Sequence, residues 1–291
     1  MTAGLVFIDK PQGWTSHDIV AKLRGIAGTR RVGHAGTLDP MATGLLVLGI
    51  DSGTKLLTFL VGANKTYEAR IRLGASTITD DAEGEILQSR DASKITKADI
   101  EKELAKLRGA IMQVPSSVSA IKVDGERAYA KVRGGDEVKL AARQVTIHKF
   151  EVTSEPEVTG EFVDFDASIE CSSGTYIRAL ARDIGSALEV GGHLTALRRT
   201  HVGKYKVEDA QSMNALTRDN LKITPLADAA ASNFEVRELS RQDVIDLRHG
   251  KRIIGEITRS LAAGICDGEL IAMLEPVAGK LKSVVVFAEE V

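Results

Sequence analysis

The sequence predicts an α+β fold, with a mixed domain to about residue 230 and a small, mostly-β module after it. Three observations carry this prediction. The chain has 291 residues, which is more than one average domain. Strand-like and helix-like stretches interleave without an internal repeat through the first part. After about residue 230 the pattern changes to one helix, at 241–249, with short strands.

Helix start signals locate two helices of the first part. Thr15 is placed as an N-cap, with Asp18 as the acid of a capping box before apolar residues at helical spacing. Thr96 and Asp99 repeat this pattern at the start of a second helix. A third helix is predicted from about 176 to 188, with Gly191 and the glycine after it as its end.

Strands are predicted where apolar residues are continuous or alternate with polar ones. The predicted strands are 4–9, 45–50, 66–73, 118–123 and 163–171, with 269–274 and 281–288 in the C-terminal module. In the alternating run 66–73, Tyr67 lies on the inner face of the strand.

Composition excludes several classes of protein. No apolar run approaches the roughly 20 residues that span a bilayer. Asp9 and Lys10 interrupt the only early apolar stretch, so no secretory signal is predicted. Cys171 and Cys266 are isolated, and the six histidines form no ligand-spaced pair. We therefore expect a cytoplasmic protein without a metal or a dinucleotide cofactor.

Charge is segregated along the chain although the net charge is only −2. Residues 151–170 contain seven acids and no Lys or Arg, whereas 171–206 contain six bases against two acids. Residues 1–70 hold eight bases against five acids. A basic face formed by the two base-rich segments would suit a polyanion. The alternative is ordinary solvated surface charge.

Three segments combine glycine and polar residues in a way that a plain core does not need: 34–44, 172–178 and 197–201. In the first, Asp39 precedes a proline, which is typical of the N-cap of a short helix. The other interpretation is that glycines let a ligand approach while Asp39 projects from a rigid turn. Arg178 in the second segment either faces an anion or is a surface charge.

Together these segments resemble the bacterial TruB family of tRNA pseudouridine-55 synthases. The resemblance rests on collinear motifs over about 200 residues. They are Asp9-Lys10-Pro11-Gln12-Gly13-Trp14-Thr15-Ser16, Arg31-Val32-Gly33-His34 through Asp39-Pro40-Met41-Ala42-Thr43-Gly44, Lys65-Thr66-Tyr67, Asp81-Ala82-Glu83-Gly84, Gln113-Val114-Pro115-Ser116 with Ser119-Ala120-Ile121-Lys122, Gly174-Thr175-Tyr176-Ile177-Arg178 and Leu197-Arg198-Arg199-Thr200.

The resemblance implies a mixed-sheet pseudouridine synthase catalytic domain at 1–230, with a lid or thumb insertion at about 123–143. It also implies a small, mostly-β, PUA-like RNA-binding domain at 235–291. The implied reaction is isomerisation of uridine 55 in the tRNA T-loop, by base flipping and an aspartate-dependent rearrangement from a C1′–N1 to a C1′–C5 bond. No cofactor or metal is implied. The implied partner is the T-arm of tRNA, with no membrane and no obligate protein partner, and the protein is expected to be a monomer.

The resemblance also implies roles for individual residues. Asp39 is the catalytic carboxylate, Arg178 pairs with it, and Tyr67 stacks on the target base. The implied substrate and RNA-binding residues are His34, Leu197, Tyr176, Asp81 and Lys10. His34 wedges into the space left by the flipped uridine, and Leu197 packs the opposite side of the pocket. Tyr176 and Asp81 are further pocket and RNA-contact positions, and Lys10 with Pro11 supports the active-site loop.

Two other functions compete with this interpretation. An RNA-binding or tRNA-folding protein could use the same cleft without catalysis. A guide-RNA-dependent ribosomal RNA synthase, as in archaeal and eukaryotic relatives, typically has a larger PUA domain and needs protein partners, and this chain lacks room for the extra elements.

Overall fold

The computed structural model describes residues 3–117, 122–123, 126–127 and 140–287. The chain forms two compact units, which are described separately below. Met1–Asp39, Leu45–Val61 and Gly203–Val291 form the first, and Pro40–Gly44 and Gly62–Val202 form the second.

The described helices are α1 (Ser16–Ala27), α2 (Gly53–Leu60), α3 (Lys97–Leu107), α4 (Ile177–Ala187), α5 (Leu226–Asn233) and α6 (Arg241–Arg248). The described strands are β1 (Gly4–Lys10), β2 (Val32–His34), β3 (Thr43–Ile50), β4 (Lys65–Leu73), β5 (Ala75–Thr77), β6 (Ile86–Ser89), β7 (Gly109–Gln113), β8 (Lys122–Val123), β9 (Glu126–Arg127), β10 (Arg143–Val152), β11 (Glu157–Thr159), β12 (Phe162–Cys171), β13 (Gly192–Val202), β14 (Tyr205–Lys206), β15 (Gln211–Ser212), β16 (Thr224–Pro225), β17 (Glu235–Glu238), β18 (Ile253–Ile254), β19 (Ala262–Cys266), β20 (Glu269–Val277) and β21 (Lys280–Val286).

In the first unit, β1 lies between β15 and β3, and β2 pairs antiparallel with β3. The buried face of α1 packs on these strands, because its apolar residues recur at helical spacing. The resulting core contains Val6, Ile8, Ile19, Val20, Leu23, Ala27, Val32, Leu46, Leu48, Ile50, Met213 and Leu216. The capping box predicted at Thr15 and Asp18 is present at the start of α1.

The C-terminal part of the first unit has a sheet of its own, in the order β17-β19-β20-β21-β18. A separate apolar core lies beneath α6 and includes Leu239, Leu247, Leu274 and Leu281. The predicted helix and the two predicted strands are confirmed as far as residue 287. The short strands β17, β18 and β19 are additional to the prediction, because each has too few residues to show a clear period.

In the second unit, an antiparallel run follows the order β13-β4-β12-β10-β7. The first two residues of β3 pair in parallel with β13, opposite Arg198 and Arg199. Gly44 is needed at this crossing: its φ is 98°, and a Cβ there would lie 2.3 Å from the carbonyl oxygen of Arg199. The alternating strand predicted around Tyr67 is confirmed as β4.

The helix predicted from about 176 to 188 is confirmed as α4, whose C-cap is Leu188. The residue after the cap, Glu189, takes the left-handed conformation that glycine usually takes, with a φ of 62°, so Gly191 and Gly192 lie just beyond the helix end. Gly191 and Gly192 allow close packing, since added Cβ atoms would meet backbone of Ala75 and of Ala181.

Two predicted features are not covered by these observations. Most of the predicted insertion at 123–143, including residues 124–125 and 128–139, lies outside the described residues, as do 118–121 of a predicted strand. The domain boundary near residue 230 stays a prediction. Within the part of the chain that the structure describes, none of the helices combines the length and the apolar character needed to cross a membrane.

Candidate active site

Asp39 lies in the loop between β2 and β3. Residues 35–42, all of which are described, contain no helix, and Pro40 and Met41 form a turn. The interpretation of Asp39 as a helix N-cap is therefore wrong. Asp39 is partly buried, whereas its neighbours Leu38 and Met41 are each 4% exposed. The loop thus has a buried apolar base from which the aspartate is presented.

Ser16 holds this loop from the start of α1. The Ser16 hydroxyl accepts a hydrogen bond from the backbone N–H of Leu38 at 2.9 Å and donates to the carbonyl of Leu38 at 3.2 Å. Ser16 is fully buried. At the other end of the loop, the N–H of Ala35 donates to the carbonyl of Val47 at 2.9 Å. The backbone that leads into Asp39 is therefore fixed at two points.

Lys10 is fully buried, with its ammonium inside the turn that precedes α1. It donates to the carbonyls of Pro11 at 2.9 Å and of Trp14 at 2.6 Å. A buried ammonium needs such acceptors, because burial without them is costly. This geometry agrees with support of the loop, whereas direct contact between Lys10 and RNA stays a prediction.

His34 is the last residue of β2 and is partly buried. The exposed ring of His17, in the first turn of α1, packs edge-on against the ring of His34, with 5.9 Å between ring centroids. This contact was not predicted, because the two histidines are far apart in the chain and share no motif.

Tyr67 and Leu197 lie on the same face of the sheet in the second unit. In the antiparallel pairing of β4 with β13, Tyr67 is opposite Arg199 and Leu197 is opposite Ala69. Directly paired residues share a face, so Tyr67 and Leu197 are diagonal neighbours. Their side chains are nearly buried, with residue exposures of 9% and 8%. Arg199, which is paired with Tyr67, is 1% exposed and therefore lies buried on the same face.

Arg178, in the first turn of α4, is held in the interior of the second unit. Its guanidinium donates to the carbonyl of Thr79 at 2.6 Å and lies 3.5 Å from a carboxylate oxygen of Asp81. The Arg178 and Asp81 side chains are 5% and 4% exposed. Asp81 also accepts hydrogen bonds from the Thr79 hydroxyl and the Glu83 N–H. Asp81 therefore orients Arg178, and its predicted role as an RNA contact stays a prediction.

Tyr176 forms the N-cap of α4 and is fixed by Gln113, a residue for which no role was predicted. The side chain of Gln113, at the end of β7, accepts from the Tyr176 N–H at 2.9 Å and donates to the Tyr176 carbonyl at 3.0 Å. Gln113 is 2% exposed. A polar side chain at a buried strand position was the available signal, because such a group needs a partner inside the protein.

Several charged groups in the second unit are buried, and burial shifts their pKa values. Asp80, with a φ of 59°, pairs with Arg182 at 3.2 Å, yet burial raises its pKa above the usual range. Lys65 donates to the carbonyl of Ala63 at 2.6 Å, and burial, with repulsion from Arg199, lowers its pKa to about 8. Burial of the neighbouring Cys171 thiol raises its pKa to about 11.

The predicted basic face loses part of its charge in the structure. Of the six bases in 171–206, Arg178 and Arg199 are buried and Arg182 is paired with two acids. The sequence count overstated the surface charge because it could not distinguish buried arginines from exposed ones. Among the described residues, no group of three or more His, Cys, Asp or Glu side chains is placed to hold a metal ion.

Comparison with protein-family models covers nearly all of the chain. Residues 24–177 match the TruB family pseudouridylate synthase N-terminal domain. Residues 178–229 match the tRNA pseudouridylate synthase B C-terminal domain, and residues 234–288 match the tRNA pseudouridine synthase II C-terminal domain. The chain therefore belongs to the TruB family of pseudouridylate synthases, which are isomerases, and the resemblance seen in the sequence is confirmed.

Similar proteins and structures agree with this assignment. A tRNA pseudouridine synthase B of Arthrobacter sp. (strain FB24) is 54% identical, over 99% of this chain and 97% of the relative. The protein of the same name from Thermobifida fusca (strain YX) is 53% identical, over 99% of each chain.

Solved structures confirm the fold. A chain of a Cbf5-Nop10-Gar1 complex has a TM-score of 0.72 and 25% identity, over 98% of this chain and 85% of that one. A chain of an H/ACA RNP bound to a substrate RNA containing 2′-deoxyuridine has a TM-score of 0.72 and 24% identity, with the same coverage. The predicted fold class is confirmed, including the mostly-β, PUA-like C-terminal part.

Proposed function

We propose that this protein converts uridine 55 in the T-loop of tRNA to pseudouridine. Membership of the TruB family supports the reaction type, and the names of relatives that match over 97% or more of their length support tRNA as the substrate. The T-arm specificity rests on the collinear motifs. We further propose a cytoplasmic monomer with a C-terminal RNA-binding domain that begins near residue 235.

The position of Asp39 is the observation that carries the proposed chemistry. An aspartate before a proline is typical of a helix N-cap, which is a structural role. No helix follows Asp39, and the backbone that leads into it is anchored at Ala35 and at Leu38. Such an anchored, partly buried carboxylate suits a reaction that needs one acidic group at a fixed place beside a sugar.

Two chemical routes are available to this carboxylate. On the first route Asp39 attacks C1′ as the C1′–N1 bond breaks, which leaves the sugar esterified to Asp39 and frees the uracil. On the second route Asp39 removes the proton from C2′ while the C1′–N1 bond breaks, which leaves a glycal. In either route uracil turns and C5 bonds to C1′; the ester bond to Asp39 breaks on the first route, and the proton returns from Asp39 to C2′ on the second. The proton on C5 is then lost, and N1 ends protonated. No electrons are gained or lost, and no atom leaves the product. Deuterium at C2′ should slow the chemical step only on the second route.

The other site residues would prepare the base and the carboxylate. Uridine 55 is stacked in the folded T-loop, and flipping it costs a few kcal/mol. We propose that His34 offsets this cost by occupying the vacated space, and that Tyr67 and Leu197 hold the flipped base. We assign Arg178 to the catalytic carboxylate as its cationic partner. A guanidinium has five N–H donors, so its bonds to Thr79 and Asp81 do not exhaust it.

The test uses purified full-length protein and an unmodified tRNA transcript, with pseudouridine mapped by carbodiimide treatment and primer extension. The unchanged protein should mark position 55. Asp39→Asn should leave it unmarked, while Asp219→Asn, at an exposed position, should match the unchanged protein. Full modification by Asp39→Asn would contradict the proposed role. Binding of tRNA by the unchanged protein without modification would favour the RNA-binding alternative.

A further inference from the structure

Leu38 and Asp39 are joined by a peptide unit whose orientation controls the place of the catalytic carboxylate. β2 ends at His34 and β3 begins at Thr43, and the bond from the Ala35 N–H to the Val47 carbonyl is the last between them, so residues 36–42 lie outside the strand ladder. Buried backbone groups need partners. For Leu38, which is 4% exposed, both partners are the same atom, the Ser16 hydroxyl oxygen.

The chemistry of the hydroxyl explains why serine suits this position. A hydroxyl accepts and donates at once, so one oxygen binds both the N–H and the carbonyl of Leu38. The carbonyl belongs to the peptide unit that ends at the nitrogen of Asp39. A hydrogen bond that holds this carbonyl therefore holds the plane of the Leu38–Asp39 peptide bond, and with it the direction in which the Asp39 side chain projects.

Ser16 is the first residue of α1 and lies next to the capping box of that helix. The Thr15 hydroxyl accepts from the Asp18 N–H at 3.1 Å, and Asp18 accepts from the Thr15 N–H at 2.8 Å. Neither bond uses the Ser16 hydroxyl, which binds Leu38. The stability of the helix start and the contact with the loop can therefore be changed separately.

We propose that Ser16 is a positioning residue for catalysis, which acts on Asp39 through the backbone of Leu38. The inference rests on the proposed function of Asp39. Misplacement of a reacting group by about 1 Å can cost about a hundredfold in rate. Loss of the Ser16 hydroxyl should therefore lower the rate of the chemical step far more than it weakens tRNA binding.

The experiment compares Ser16→Ala and Ser16→Cys with the matched control Thr15→Ala. Thr15→Ala loosens the same helix start but leaves the bonds between Ser16 and Leu38 in place. Ser16→Cys keeps the volume of the side chain with a much weaker hydrogen-bonding group, so it remains informative if Ser16→Ala does not fold. Single-turnover rates with saturating enzyme, dissociation constants for tRNA and melting temperatures are measured for each protein.

The expected result is a fall of about tenfold or more in the single-turnover rate for both Ser16 variants, with the dissociation constant within about twofold. Thr15→Ala should lose thermal stability but keep its rate within about twofold. Ser16→Thr, which restores a hydroxyl, should recover part of the rate if its methyl group is accommodated.

Two results would overturn the inference. A folded Ser16 variant with a rate within twofold of the unchanged protein would do so. Equal rate losses in the Thr15 and Ser16 variants at equal losses of stability would show a structural role only. Asp39→Asn, measured beside them, separates the hypotheses: if it keeps the rate, the proposed role of Asp39 fails, whereas if it alone loses the rate, only the positioning by Ser16 fails.

Discussion

Asp39 shows how a residue can carry a helix signal without starting a helix. An aspartate before a proline is typical of a helix N-terminus. Only residues 40–42 separate Asp39 from β3, which leaves no room for a helix of even four residues. Gly44, with its positive φ and its contact with the Arg199 backbone, fixes the start of that strand. Pairing at the crossing with β13 therefore overrides the local preference.

Arg178 and Asp81 form a buried ion pair, so removal of either charge has two effects. Arg178→Met should lower the free energy of unfolding by about 3–5 kcal/mol, because it leaves the Asp81 carboxylate buried without its cation. It should also lower turnover by orders of magnitude. Chemical denaturation and single-turnover kinetics measure the two effects.

The second substitution Asp81→Asn separates these effects. In the Arg178→Met background it removes the uncompensated charge, so part of the lost stability should return while turnover stays low. If turnover returned with stability, the role of Arg178 in this protein would be structural only.

At the scale of the element, local signals predicted both starts and ends of helices. The capping boxes at Thr15 and Thr96 are present as predicted, because each needs only residues three apart in the chain. The end of α4 near residue 188 is also as predicted, although Glu189, and not a glycine, takes the left-handed conformation just after it. Contacts of Gly191 and Gly192 with neighbouring backbone explain why those two residues are glycine.

Strands β4 and β12 bring Lys65 opposite Cys171, and their shifted pKa values make stability depend on pH. The pKa of Lys65 is about 8 in the fold, below its ordinary 10.5. Between these values the unfolded chain binds a proton that the fold does not, so stability rises with pH from about 8 to 10.5. The pKa of Cys171 is raised from 9.0 to about 11, so stability falls with pH over that range. The two effects oppose each other above pH 9.

Between pH 8 and 9, therefore, Lys65 should add about 1 kcal/mol to the free energy of unfolding. Urea titrations at the two pH values measure this change. Lys65→Met should lack it, and Lys102→Met, at an exposed helix position, should retain it. If the free energy of unfolding changed by the same amount between pH 8 and 9 in Lys65→Met and in the unchanged protein, the lowered pKa of Lys65 would be contradicted.

Across the whole molecule, acids and bases are paired within the fold more than the sequence suggests. The acid-rich segment 151–170 lies beside the arginines of β4: Arg70 contacts Glu157 and Asp166, and Arg72 makes two bonds to Asp164, at 2.8 and 2.7 Å. These arginines therefore do not add free positive charge for a polyanion.

The salt dependence of tRNA binding tests this view of the charge. A base that contacts one phosphate contributes about 0.7–0.9 to the slope of log K against log salt. Arg70→Gln and Arg72→Gln should leave the slope unchanged. Arg70→Gln should cost at most about 1 kcal/mol of stability, because the Arg70, Glu157 and Asp166 side chains are about one-third exposed or more. Arg72→Gln should cost more, because it leaves the Asp164 carboxylate, 7% exposed, without its two bonds to Arg72. A slope smaller by about 0.7–0.9 would show that the substituted arginine contacts an RNA phosphate in the complex and no longer pairs with its acidic partner.

By itself the sequence determined the fold class and the main helices and strands, and it supplied the residues that we propose for the site. These depend on local periodicity, on capping patterns and on motifs whose order along the chain is visible without a structure. Tertiary structure alone decided that Asp39 caps no helix, that Arg178 and Arg199 are buried, and that Ser16 and Gln113 hold the backbone of site residues. Each of these features depends on contacts between residues that lie 22 or more positions apart in the chain. The folded core brings such residues together, and local conformational preference does not.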